Sequence, residues 1–286
     1  MAVFSISELS KNLPGSKVFG KAAFSHLSTD TRSLAAGDLF VALVGPNFDG
    51  HEFIAQAQDQ GACAALVSTV IDTDLPLLVV PDTRIALGQL AVLKRQSLNG
   101  QFVAVTGSSG KTTVKEMLQK VLFQAGEVEV TQGNFNNDIG VPLTLWSMQD
   151  HIDYRVLELG ANHIGEIAYT SRMVMADVAI LNNAQEAHLS GFGGLGGVVK
   201  AKGEIISGLS EQGQVVLNLD DPHVSEWQVL AKPRRVWSFS LSNPKASVYA
   251  SDIKRTPRGS RFIMHLGQQQ RFVDLQLLGQ HNVANA

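Results

Sequence analysis

The apolar run Phe102-Val103-Ala104-Val105 breaks at Thr106-Gly107-Ser108-Ser109-Gly110-Lys111-Thr112-Thr113, after which Val114, Leu118, Val121, Leu122 and Ala125 recur at three- and four-residue steps. A short apolar run bounded by turn residues predicts a buried strand. The spacing after it predicts an amphipathic helix, with Gly126 placed as its C-cap. The alternation continues downstream, with strands predicted over 128–131, 154–159, 178–181 and 215–219 and helices from near Gly140, over 166–173 and over 198–209. Pro142 fits the first turn of its helix, where no intrahelical N–H is owed. Nearly unbroken apolar strands alternating with helices predict a mainly parallel sheet covered on both faces.

Upstream the pattern is finer. Short strands are predicted at 39–43, 64–67 and 77–80, with a helix over 51–60 and a brief helical pattern near Ile6 and Leu9 that Pro14-Gly15 ends. Asp82 reads as the N-cap of a helix whose apolar side uses Leu87, Leu90, Ala91 and Val92. From Lys232 to Arg271 the pattern changes again, to β-type segments at 236–239, 248–249, 261–266 and 271–277, with Gly259 and Gly267 marking turns. That predicts an antiparallel subsheet attached to the larger sheet. The expected fold is therefore α/β: a small N-terminal α/β domain over 1–82, a connecting helix and linker over 83–100, and a phosphate-loop central domain over 101–286. A length of 286 residues agrees, being more than one hydrophobic core usually serves.

Composition narrows the class. Hydrophobic residues at 44% and charged residues at 17% are those of an ordinary globular protein, and a formal net charge of −3 gives no general pull toward nucleic acid or an anionic membrane. No apolar run reaches transmembrane length, and the N-terminus lacks a basic segment followed by an apolar core. Cys63, the single cysteine, excludes an internal disulfide; with small and apolar neighbours it reads as packing, in a reducing, cytoplasmic setting. The nine basic residues between Lys232 and Arg271 face only Asp252 in charge, yet no aromatic interleaving supports nucleic-acid binding, so they read as the dressing of an exposed sheet.

The chemistry concentrates at strand ends. Gly107 and Gly110 allow a tight turn whose N–H groups and following helix N-terminus face an anion. Lys111 can reach β/γ phosphates, and the Thr112 hydroxyl can ligate Mg²⁺. The two residues between Gly107 and the Gly110-Lys111 pair make this loop shorter than the common four-residue form. In an open α/β sheet ligands bind beyond the C-terminal ends of the strands, where Thr106, Glu158 and Asn182 all fall. Glu158 closing an apolar strand beside a phosphate loop suits a metal ligand, and a histidine such as His188 is a less usual one. Lys200 and Lys202, with Glu204, read on composition as a solvated helix face carrying an i,i+4 pair. The polar loops around Thr29, Asp30, Thr31, Arg32, Asn47, Asp49 and His51 read equally well as a polar ligand site or as turn formers.

Taken in order, the phosphate loop, Gly133-Asn134-Phe135-Asn136-Asn137-Asp138-Ile139-Gly140-Val141-Pro142, Glu158-Leu159-Gly160-Ala161-Asn162-His163, Asn182-Asn183 through His188, Lys200-Ala201-Lys202-Gly203-Glu204 and Gly279-Gln280-His281-Asn282 resemble the Mur ligase family of peptidoglycan synthesis, over essentially the whole chain. The resemblance implies ATP-dependent amide synthesis through an acyl phosphate, joining D-alanyl-D-alanine to UDP-N-acetylmuramoyl-tripeptide. It places ATP phosphates on Gly107, Ser108, Ser109, Gly110, Lys111, Thr112 and Thr113, with Asn137 among the nucleotide contacts and His281 and Asn282 around the adenine. It places Thr112, Glu158 and His188 around two magnesium ions. It makes Lys202 a carbamylated lysine that helps hold magnesium, reversing the reading of a solvated face. Catalytic roles then fall to Lys111, Lys202 and His188, and the loops at 29–32 and 47–51 receive the uridine-nucleotide end of the precursor. The family carries a third, C-terminal domain, and the chain stops where the connection to it would begin. The expectation is a truncated polypeptide, monomeric and nearly inactive alone. Another ligase of the same architecture, such as the enzyme adding the third amino acid or folylpolyglutamate synthase, and a non-catalytic nucleotide-binding module are the competing readings.

Overall fold

Leu39–Val41 and Ala64–Val67 are buried at every position because both faces of their sheet are covered. In the computed structural model, which describes residues 3–186 and 189–286 (backbone alone for Leu189 and Ser190), they lie at the centre of a five-stranded sheet. Its strand order is Lys17–Phe19, Leu77–Val79, Ala64–Val67, Leu39–Val41, Leu27–Ser28, parallel except for the first pairing. Successive residues of a strand point to opposite faces. Leu39 and Val41 accordingly pack with Leu87 and Leu90 of the helix Thr83–Ser97, while Phe40 packs with Ile54 and Ala57 of the helix Ile54–Asp59.

This sheet belongs to the first of two units, Met1–Asn99 with Asp138–His151. The sequence assigns 83–100 to a connection. In the structure the helix Thr83–Ser97, capped by the Asp82 carboxylate accepting from the N–H groups of Arg84 (2.8 Å) and Ile85 (2.9 Å), packs inside the first unit. The helix Gly140–Ser147 returns to the same unit and inserts Trp146, 1% exposed, edge-on to Phe4 at 4.9 Å between ring centroids and tilted on Phe24 at 5.5 Å. Trp146→Ala would leave a cavity that this close packing cannot refill. We expect it to cost about 3–5 kcal/mol, read as a lowered midpoint in chemical denaturation; a shift within error would show that Trp146 does not anchor the segment.

The second unit is Gly100–Asn137 with Ile152–Ala286. Its nine strands run Val128–Val130, Tyr154–Glu158, Gln101–Thr106, Val178–Leu181, Gln214–Asn218, Val236–Ser240, Val248–Thr256, Gly259–Leu266, Gln269–Leu275 across one sheet. The expected mainly parallel sheet is present, but its antiparallel part begins later than the sequence suggests. Val236–Ser240 pairs parallel with Gln214–Asn218, and Val248–Thr256 parallel with Val236–Ser240; only the last two pairings are antiparallel. The helix expected over 198–209 is an α-helix at Leu195–Gly203 that tightens to a 3₁₀ segment at Glu204–Gly208. Among the described residues no helix is long and apolar enough to cross a membrane.

The order of the first four strands positions the site. Gln101–Thr106 lies between Tyr154–Glu158 and Val178–Leu181, with Val105 opposite Glu158 and Thr106 opposite Leu181. Three chain segments therefore leave the same end of the sheet side by side.

Candidate active site

The strand Gln101–Thr106 passes into the phosphate loop, and Lys111 opens the helix Lys111–Leu122. Gly110 takes φ +80°, a left-handed conformation that L side chains rarely adopt, and a Cβ there would lie 2.5 Å from Asn182 Nδ2 and 2.6 Å from Asn285 Oδ1. The glycine is therefore demanded twice, by backbone and by space. The loop is bound to the segment leaving the neighbouring strand. Ser108 N–H donates to the Asn183 carbonyl (3.0 Å), and Ser109 N–H to Asn183 Oδ1 (3.0 Å). Ser108 Oγ donates to the Gln185 carbonyl (3.1 Å), and Asn182 Nδ2 donates to both the Ser109 carbonyl (3.0 Å) and Asn285 Oδ1 (3.0 Å). Lys111 folds back, its Nζ donating to the Gly107 carbonyl at 3.0 Å, and burial pushes its pKa down, against the pull of the Glu158 carboxylate.

Glu158 ends its strand 2% exposed, with its backbone N–H donating to Thr131 Oγ1 (3.0 Å). Thr112 Oγ1 donates to Oε2 at 2.8 Å and Asn136 Nδ2 donates to Oε1 at 2.8 Å. Thus the expected metal pair Thr112 and Glu158 is brought together. Two neutral donors only partly offset the cost of burying a carboxylate, and its interaction with Lys111 is at longer range than a contact. A hard divalent cation bound by this carboxylate and the Thr112 hydroxyl fits the donor set. No group of three or more histidine, cysteine or acidic side chains able to hold a metal occurs among the described residues. His188, expected as a further ligand and catalytic group, lies outside the described residues.

Lys202 comes from the end of Leu195–Gly203 and is 4% exposed, so the solvated-face reading does not hold for it. Its pKa is pushed down to about 8, first by burial and then by the Lys111 cation, against the opposing pull of Glu166, Glu204 and Glu158. Its Nζ lies 5.7 Å from the Phe192 ring centre. Glu204 does not pair with Lys200: its carboxylate accepts from the N–H groups of Gly165 (2.8 Å) and Ala168 (3.0 Å), at the start of the helix Glu166–Val174. Lys111, Lys202, Asn136, Asn137, Asn162 and Glu166 line one cavity of about 150 Å³ beside the phosphate loop.

Of these, Asn162 and Glu166 escaped the sequence reading, which also chose Asn137 over its neighbour Asn136. His281 and Asn282 stand on the helix Gln280–Asn285, but the residue of that helix that reaches the phosphate loop is Asn285. Asn282 is engaged locally, Nδ2 donating to the Leu278 carbonyl at 2.8 Å and Oδ1 accepting from Asn285 Nδ2 at 3.2 Å. The three-residue step from Asn282 to Asn285 along one helix face is the signal that could have found it.

In the first unit Thr29, Asp30, Thr31 and Arg32 line a cavity of about 530 Å³ together with the rings of Phe48 and Phe53. The Asp30 carboxylate accepts from Arg32 N–H (2.9 Å) and grips its guanidinium from Nη2 at 2.6 Å. That hydrogen-bonded cation holds the Asp30 carboxyl down at about 2. Asn47 is exposed in the turn beside this cavity. Asp49 and His51 serve the turn itself: Asp49 Oδ1 accepts from the backbone N–H of His51 (2.9 Å) and meets its Nδ1 at 2.5 Å, while His51 Nε2 accepts from the Ser68 N–H at 2.9 Å.

Comparison with known proteins also divides the chain near residue 100, although the second match runs on through 138–151, which pack with the first unit. A model described as the Mur ligase middle domain matches residues 105–286, and one described as Mur ligase family, catalytic domain, matches residues 23–95. UDP-N-acetylmuramoyl-tripeptide–D-alanyl-D-alanine ligase of Escherichia coli K12 is 46% identical over all of this chain, which spans 63% of that protein's length. A crystal structure of MurF from Acinetobacter baumannii matches 99% of the chain with a TM-score of 0.93 and 38% identity, the match spanning 63% of that structure. MurF ligase from Thermotoga maritima in complex with ADP matches 91% with a TM-score of 0.81 and 30% identity, spanning 60% of that structure.

Proposed function

The chain belongs to the Mur ligase family, and from that premise we propose that it is an ATP- and Mg²⁺-dependent ligase joining D-alanyl-D-alanine to UDP-N-acetylmuramoyl-tripeptide. The observation that carries the reading is that Lys111 and Lys202 line one small cavity at the phosphate loop, while Thr112, next to Lys111, is hydrogen-bonded to the buried Glu158 carboxylate. A carboxylate resists attack by an amine because it would have to expel oxide. Phosphorylating it supplies a leaving group, so the amine attacks the carbonyl carbon and the C–O bond to phosphate breaks.

In this reading the loop amides and Lys111 hold the triphosphate and orient its terminal phosphoryl group against the precursor carboxylate. Thr112 and Glu158 hold Mg²⁺, with His188 as a further ligand; the bound metal supplies neutralisation of phosphate charge. Asn136 fixes the Glu158 carboxylate from its other oxygen. Asn137 and the helix carrying His281, Asn282 and Asn285 complete the nucleotide side. The cavity at Thr29–Arg32 receives the uridine-nucleotide end, with Phe48 and Phe53, each about half exposed, offering faces for the base. A cytoplasmic monomer is the corresponding setting.

Phosphate release from ATP, followed on an enzyme of the relatives' full length with each substrate withheld in turn, tests the reading. We expect release only when both UDP-tripeptide and D-alanyl-D-alanine are present. Nucleotide binding with no substrate-dependent release would favour the non-catalytic module instead.

Lys202 carries the finer part of the proposal, a carbamate. CO₂ adds to a neutral amine: the N–C bond forms, a proton leaves, and the side chain becomes an anion suited to a cation-rich site. A lysine lowered from 10.5 to about 8 is half neutral near pH 8, whereas below that pH the buried ammonium opposes folding, a penalty relieved as pH rises toward 10.5. Labelling with ¹³C-bicarbonate is expected to give a carbamate resonance that grows between about pH 7 and 9 and is missing in Lys202→Arg. A wild-type spectrum without it would reject the modification.

A further inference from the structure

From the charges lining the reaction cavity, we infer that Glu166 is the docking point for the α-ammonium group of the incoming dipeptide. The inference rests on the ligase reading and adds to it the place from which the amine approaches. Around the cavity the charged side chains are Lys111, Lys202 and Glu166, and the carboxamides of Asn136, Asn137 and Asn162 contribute the remaining polar groups named above. Such a lining suits phosphates and a carboxylate. Lys111 repels an arriving ammonium, and a carbamate on Lys202 would be committed to the bound cation, which leaves Glu166 as the carboxylate lining the cavity, among the described residues, that is open to an ammonium.

The Glu166 carboxylate is fixed before any ligand arrives. Its Oε2 accepts from the Asn162 N–H at 2.8 Å, and its Oε1 meets His163 Nδ1 at 2.9 Å. These hydrogen bonds hold its pKa below the ordinary glutamate value, against the opposing effect of burial. A carboxylate oxygen has more than one acceptor direction, so each still has capacity for an ammonium hydrogen. Glu204, the nearby acid on the segment packed against this helix, is occupied by the N–H groups of Gly165 and Ala168. Glu166 thus lines the same cavity as Lys111 of the phosphate loop, so an amine held at the one and a phosphoryl group held at the other share that space.

Two measurements on the intact protein test this. With wild type, D-lactoyl-D-alanine, which carries a hydroxyl in place of the ammonium, is expected to compete with D-alanyl-D-alanine about tenfold to a hundredfold more weakly than the dipeptide itself binds, the loss of one charge-assisted contact. Equal binding would overturn the inference without any mutant. With Glu166→Gln, the dipeptide KM is expected to rise by a similar factor and discrimination against the hydroxyl analogue to shrink to about twofold. Formation of the acyl phosphate in the absence of dipeptide, trapped by borohydride reduction, is expected to fall by a smaller factor than the dipeptide KM rises. If acyl-phosphate formation falls by as large a factor as the KM rises, or the KM does not move, Glu166 serves only the start of its helix. A wild-type protein that forms no acyl phosphate and shows no dipeptide-dependent phosphate release would instead remove the ligase reading, a result separate from the other two.

Discussion

Lys111→Ala is expected to lower substrate-dependent phosphate release by about a hundredfold to a thousandfold, the usual effect of deleting one preorganised donor to a reacting anion. The lysine begins the helix Lys111–Leu122 and folds back onto the Gly107 carbonyl at 3.0 Å, so its ammonium is held over the loop instead of sampling solvent. Its removal costs the fold little, because the loop is independently bound through Ser108, Ser109 and Asn182. Loss of rate should therefore appear without a comparable loss of thermal stability. ADP binding should weaken less than the rate falls, since the loop amides remain while the charge facing the transferring phosphoryl group does not. Turnover retained within about threefold of wild type, well short of the effect of a lost donor, would place the triphosphate elsewhere and remove the basis of the metal and carboxylate assignments.

What the sequence disclosed and what it hid follow one physical division. Strand, glycine loop and helix at 101–122 were legible because each is a local property: an apolar run, two glycines, and a three-to-four spacing. The parallel sheet was legible from strands apolar at nearly every position. Strand direction was not. Val236–Ser240 has the same composition whether it pairs parallel or antiparallel, and the choice depends on where the helix Val224–Ala231 returns the chain. The return of Asp138–His151 to the first unit was hidden for a similar reason, since nothing local says that Trp146 will meet Phe4 and Phe24.

The site divides in the same way. Lys111, Thr112 and Glu158 announce themselves by position after a strand. Asn136 does not: it meets Glu158 only because Val128–Val130 is placed beside Tyr154–Glu158 in the sheet. Glu166 looks like an ordinary acidic residue in a first helical turn until the helix is set against Lys202. Asp49 and His51 show a structural use that the sequence left open beside the ligand reading. Chemically able side chains in a polar loop can be spent on the loop, here on a turn and on the Ser68 N–H.

Glu158→Gln isolates charge from shape, and its expected effect is second only to that of Lys111. A glutamine can keep both existing contacts by turning its oxygen toward Asn136 Nδ2 and its amide toward Thr112 Oγ1, since a hydroxyl accepts as well as donates. The side chain should therefore stay in place, and removing a buried charge should leave stability unchanged or slightly raised. A neutral amide, however, is a far weaker ligand for a hard dication than a carboxylate. The Mg²⁺ concentration that supports half-maximal phosphate release is expected to rise by about tenfold or more, and the saturated rate to fall by about a hundredfold. Binding of Mg²⁺ with ADP, measured by calorimetry, should weaken while metal-free ADP binding holds or improves, because the same substitution removes an anion next to the phosphates. That opposite movement is the discriminating sign. If metal-free and metal-dependent binding weaken together, Glu158 is maintaining the loop and not holding a cation, and the Thr112 hydroxyl would then be merely its hydrogen-bond donor.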